Sequence, residues 1–121
     1  MANVLIADDE PNILLSLEFL MKKEGHKVFI ARDGGEAYEL LQHHKPDLLM
    51  LDIMMPRMNG LELCKYVKST DGFQHSKIII LSAKGKEIDI QRGYESGADL
   101  YVAKPFSTRD LVAKVNQLLS A

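Results

Sequence analysis

Five short apolar runs, each leading into a helix-like pattern, constrain this chain more than any other feature. They are Val4 to Ala7, Val28 to Ala31, Leu48 to Asp52, Ile78 to Leu81 and Asp99 to Ala103. Such runs are too short for helices and lack the polar alternation of a half-exposed strand, so they read as strands buried on both faces of a parallel sheet. Regular strand–helix alternation with short connections predicts one three-layer α/β domain over residues 1–121, with right-handed crossovers. No repeat, low-complexity tract or linker interrupts it.

The intervening segments carry helical signals. Ile13, Leu14, Leu17, Leu20 and Met21 recur at helical spacing until Gly25, and Pro11 suits the first turn. Asp33 with Glu36 reads as a capping box ahead of Ala37, Leu40 and Leu41, and Pro46 closes that unit. A helix from about Asn59 to Lys68 turns Leu63, Cys64 and Val67 inward, and Asp71-Gly72 marks the turn after it. The segment from Lys84 to Ser96 is expected to be helical before Gly97, although Ile88, Ile90 and Tyr94 fit a 3.6 period poorly. Ser107 and Asp110 cap a last helix with the stripe Leu111, Val112, Val115, Leu118 and Leu119.

At 121 residues with 46% hydrophobic content, the chain can bury roughly two-thirds of its unfolded surface and needs no disulfide or structural metal. One cysteine, Cys64, excludes an internal disulfide framework and points to a reducing cytoplasm. No apolar run approaches the ~18 residues of a membrane span, and the amino terminus has no basic signal-peptide region. A formal charge of −2 without long basic runs gives no footprint for direct nucleic-acid binding.

In an open α/β sheet, ligands bind at the carboxyl ends of the strands. The first run ends in Asp8-Asp9-Glu10, the third in Asp52 and the fourth in Ser82, and the fifth leads to Lys104. All of these fall on one edge. Pro56 stops the third strand soon after Asp52, and Asn59-Gly60 supply turn and cap chemistry. Carboxylates crowded there need a cation or a proton to coexist, and an all-oxygen pocket favours magnesium. Lys104 adds a fixed positive charge opposite Asp52. Together they would neutralise a phosphoryl donor while one carboxylate attacks phosphorus in line, with Ser82 placed to bond a phosphoryl oxygen.

Other features have structural readings. Asp8-Asp9-Glu10 could serve partly as helix-end charges. Cys64 reads as a core thiol, and Met50, Met54, Met55 and Met58 as packing around the third strand. His26, His43, His44 and His75 lack metal-ligand spacing and are expected at the surface. Gly85-Lys86 lacks the upstream glycine of a phosphate-binding loop.

The Asp8-Asp9 pair, Asp52 with Met55-Pro56 and Gly60, Ser82-Ala83, Gly97-Ala98-Asp99 and Lys104-Pro105-Phe106 together resemble the receiver domain of two-component response regulators, over nearly the whole chain. The resemblance implies a flavodoxin-like (βα)5 fold with strand order 2-1-3-4-5. It implies phosphorylation of Asp52 by a sensor histidine kinase or phosphotransfer protein, with magnesium held by Asp9, Asp52 and the backbone carbonyl of Met54, and Asp8 acting through water. Ser82 and Tyr101 would be switch residues, Lys104 would contact the phosphate, and the Lys104-Pro105 bond would be cis. The output face would be the fourth helix, fifth strand and fifth helix.

Met54 and Lys84 would flank the path of the hydrolytic water. Leu100 stands where many transcription-factor members carry a second acidic residue, which favours a monomer or a weak phosphorylation-linked dimer. The only catalysis expected is self-catalysed turnover of the phosphate on Asp52. The output partner or effector domain stays open. The alternatives are a magnesium-dependent aspartyl-nucleophile phosphatase, which would carry a second aspartate where this chain has Met54, and a flavin-binding module, which would need a hydroxyl-rich loop in place of Asp8-Asp9-Glu10.

Overall fold

A computed structural model describes residues 1–82, 91, 92 and 94–120 of the chain. Its five strands are β1 (Asn3–Ala7), β2 (Lys27–Ala31), β3 (Leu48–Asp52), β4 (Lys77–Ser82) and β5 (Leu100–Ala103). All pair in parallel, in the order β2-β1-β3-β4-β5. The described helices are α1 (Pro11–Lys23), α2 (Gly34–Leu41), α3 (Gly60–Lys68) and a C-terminal helix (Thr108–Leu119). This is the flavodoxin-like arrangement expected from the sequence.

Alternation along the strands divides the core into two layers. Leu5, Leu49, Leu51, Ile78 and Ile80 face Ala37 and Leu41 of α2 and Leu63, Cys64 and Val67 of α3. Val4, Ile6, Leu48, Met50, Ile79 and Leu81 face Leu14, Leu17 and Met21 of α1 and Leu111 and Val115 of the C-terminal helix. Every residue of β3 is buried. Burial of each large side chain contributes about 1.5–3 kcal/mol, so the central strand is the best anchored and its end is held firmly.

The local signals account for the helix boundaries. Gly25 adopts φ 89° at the end of α1, a conformation that costs glycine little. The Asp33 side chain accepts from the Glu36 amide, but the Glu36 carboxylate reaches Arg32 N instead of completing a reciprocal box. Asn59 and Glu62 do form a complete capping box. Ser107 accepts from the Asp110 amide.

Three expectations need correction or adjustment. β5 begins at Leu100, one residue later than expected: Asp99 N still donates to Ile78 O, and the Asp99 carboxylate accepts from Ile78 N and Lys68 Nζ. His26 is not a surface residue. It is half-buried, its Nδ1 accepts from Ala2 N, and its Nε2 is buried without a partner among the described residues. Met54 does not pack around β3 but is 73% exposed, whereas Met50 and Met55 are buried.

The helix expected from Lys84 to Ser96 lies largely outside the described residues, as do Ala83, Lys84 and Gly85-Lys86. Its described end is helical at Gln91, Arg92, Tyr94 and Glu95, and Gly97 follows with φ 103°.

Candidate functional site

The carboxyl edge of the sheet collects the polar residues that the strands deliver. Asp8 follows β1, Asp52 and Ser82 end β3 and β4, and Lys104 follows β5. The register sets Asp52 beside Leu81 and Ser82 beside Ala103. Lys104 N donates to Ser82 O across that step, and the Lys104-Pro105 bond is cis as expected.

The loop after β3 is tied down at several points. Ile53 N donates to Leu81 O, Gly60 N to Ile53 O, and Met58 N to Pro56 O. Arg57 adopts φ 72°, a left-handed conformation that disfavours a side chain. Gly60 allows the start of α3 to close on β3: a Cβ there would lie 2.3 Å from the Asp52 carbonyl oxygen. These contacts fix the backbone from which the Asp52 carboxylate emerges.

Lys104 is the hub of the cluster. Its Nζ lies 2.8 Å from Asp8 Oδ2, 3.3 Å from Glu10 Oε1 and 3.5 Å from Asp52 Oδ1. The Asp8, Asp52 and Lys104 side chains are buried, while that of Glu10 is 57% exposed. The second oxygen of Asp8 accepts from Glu10 N at 2.9 Å. Burial and the charge of Asp8 push the Asp52 carboxyl up to about 7 against the pull of Lys104, and Asp9 raises it further. Burial opposes the charged form of Lys104, yet its hydrogen bond to Asp8 and the charges of Asp52, Asp8 and Glu10 outweigh this and hold its ammonium above the ordinary value.

This donor set suits a hard divalent cation. One carboxylate oxygen from each of Asp8, Asp9 and Glu10 lies within 4.8 Å of the others. Burial, and after it the neighbouring Asp8 charge, raises Asp52, and a cation would relieve both. Asp8 already serves Lys104 and Glu10 N, an arrangement compatible with its acting on a metal through water. A cleft of about 410 Å³ opens beside the cluster, lined by Asp9, Ile53, Met54, Met55, Pro56 and Asn59.

Ser82 and Tyr101 are both buried, with Tyr101 packed into the layer that contains Leu63 and Cys64. Burial raises the Cys64 thiol, whose Sγ donates to Ser96 O, as suits a core residue. The sequence reading did not anticipate the Glu10–Lys104 contact. Its one available signal was that Glu10 directly follows the two aspartates.

A larger cleft, about 670 Å³, lies at the opposite end of the sheet, where Ala2, His26 and Asp47 precede β1, β2 and β3 and Lys77 opens β4.

Parallel strands that gather a carboxylate cluster and a lysine at one edge define an α/β module with an acidic site at the carboxyl end of its sheet. The family model for the response regulator receiver domain matches residues 4–116. A Francisella response regulator 1452 receiver domain is 32% identical with a TM-score of 0.90, the match covering 99% of this chain and 98% of that one. A putative response regulator from Chloroflexus aurantiacus J-10-fl is also 32% identical, with a TM-score of 0.93 and the same coverage. A CheY-like receiver domain protein from Methanospirillum hungatei JF-1 is 30% identical with a TM-score of 0.89, covering 99% of this chain and 94% of that one. The chain belongs to the response regulator receiver domain family, whose members are switches in two-component phosphorelay signalling rather than conventional enzymes. No helix among the described residues is long and apolar enough to cross a membrane.

Proposed function

We propose that residues 1–121 act as one phosphorylation-operated switch with Asp52 as the phosphoacceptor. The observation that carries this reading is the buried Asp52 carboxyl, raised to about 7, facing Lys104 and crowded by Asp8 and Asp9. The donor is the phosphohistidine of a sensor kinase or phosphotransfer protein, the kind of partner that receiver domains engage. In its ionised form an Asp52 oxygen attacks phosphorus in line. The phosphorus–nitrogen bond of the donor breaks, and its electron pair returns to the imidazole.

Lys104 neutralises the arriving phosphoryl oxygens, and Ser82 donates its hydroxyl to one of them. Asp9, Asp52 and the Met54 carbonyl would hold magnesium, with Asp8 acting through water. The metal would supply charge neutralisation for the phosphoryl group. Ser82 and Tyr101 pass the change to the face formed by the segment before Gly97, β5 and the C-terminal helix. Phosphorylation biases an existing two-state equilibrium there, and an output partner reads the result. The exposed Met54 side chain borders the approach of water and so influences phosphate lifetime. A cytoplasmic location and a monomeric or weakly dimeric state complete the reading.

The test is incubation with a small phosphodonor and magnesium. Intact-protein mass should show one added phosphate that disappears in Asp52→Asn. Incorporation that persists in that variant would overturn the assignment.

A further inference from the structure

We infer that Glu10 is a positioning residue for Lys104, holding its ammonium towards Asp8 and short of Asp52. The inference rests on the reading of Asp52 as phosphoacceptor and adds a control on that site. Lys104 must serve three carboxylates, and its closest contacts are to Asp8 at 2.8 Å and Glu10 at 3.3 Å, with Asp52 farthest at 3.5 Å. An ammonium has three N–H donors on a flexible stem, so its position reflects competition among acceptors. Asp8 cannot move aside easily: it is fully buried, and its other oxygen is committed to Glu10 N. Glu10 differs, because its side chain is more than half exposed and bonds Lys104 at the longer 3.3 Å.

Glu10 also sits at the N-cap of α1, and no side-chain capping bond is made there. Its carboxylate therefore serves Lys104 while its amide orients Asp8. Two residues of one turn, Asp8 and Glu10, thus hold the lysine more closely than Asp52 does. When a phosphoryl group arrives at Asp52, Lys104 must loosen its hold on Glu10 to meet it. Glu10 sets the cost of that movement and thereby the rate of phosphorylation.

Removing the Glu10 charge while keeping its shape tests this. Glu10→Gln should accelerate phosphorylation by a small phosphodonor about two- to fivefold, the range appropriate to a partly exposed ion pair. A general charge effect would also accelerate an anionic donor, so the same substitution is made in a Lys104→Met background. If Glu10 acts through Lys104, the acceleration vanishes there. Equal acceleration in both backgrounds would overturn the inference, as would an unchanged rate in the chain with Lys104.

A phosphate-free measurement separates this inference from the reading beneath it. Glu10→Gln should shift the nitrogen resonance of the Lys104 ammonium in the unphosphorylated protein, whether or not Asp52 accepts phosphate. An unshifted resonance would show that Glu10 does not hold Lys104.

Discussion

Asp52→Asn should stabilise the protein at neutral and alkaline pH in the absence of divalent metal. The carboxyl rises from an ordinary 3.8 to about 7 in the folded chain, chiefly through burial and the neighbouring Asp8 charge. Below the unfolded value Asp52 is protonated in both states, and its contribution to stability is fully present. Between about pH 4 and 7 the unfolded chain releases this proton while the folded chain keeps it, so stability falls as pH rises. Above about 7 the folded protein carries a buried charge only partly compensated by Lys104 at 3.5 Å.

The full displacement corresponds to a ceiling of about 4 kcal/mol, and water at the mouth of the site reduces it to about 2–4 kcal/mol. Asparagine keeps the shape without the charge, and Lys104 retains Asp8 at 2.8 Å. Urea denaturation in chelator, from about pH 4.5 to 8.5, should give a stability difference between variant and parent that grows with pH and levels off above about 7. A flat difference would refute the argument that Asp52 is strained by its surroundings.

Magnesium should reverse much of that penalty: at about a hundredfold excess over its Kd it should add about 2.7 kcal/mol to the parent protein. Asp52→Asn should lose most of this gain, as read by urea midpoints with and without the metal. Gly60→Ala should cost about 1–3 kcal/mol, because its Cβ would fall 2.3 Å from the Asp52 carbonyl oxygen and the loop must shift; urea denaturation measures this. Asn59→Ala removes one half of a complete capping box and should cost about 1 kcal/mol by the same assay, without shifting the pH profile.

The architecture was legible because its signals are local. Short continuous apolar runs located every strand to within a residue, and Asp33, Asn59 and Ser107 cap their helices as their positions suggest. The strand order came from family resemblance, since no local pattern says which strands are neighbours. The site was legible as residue types at strand ends, but its internal wiring was not. Glu10 and Lys104 are 94 residues apart, and only the completed sheet sets them 3.3 Å from each other.

His26 was misjudged for a related reason: its partner, Ala2 N, lies 24 residues away and is brought beside it by the parallel register of β1 and β2. Met54 belongs to the loop that leaves β3, and there its side chain faces out at 73% exposure while its neighbours Ile53 and Met55 are buried. In both cases tertiary placement overrode a reading made from residue type.

The most direct test of the central claim is chemical mapping of the phosphate. After treatment with a small phosphodonor and magnesium, borohydride reduction converts an aspartyl phosphate to homoserine, which peptide mass spectrometry locates. The account predicts homoserine at position 52 and nowhere else. Homoserine at position 8 or 9, or a phosphate that resists reduction because it sits on a histidine or hydroxyl side chain, would contradict it.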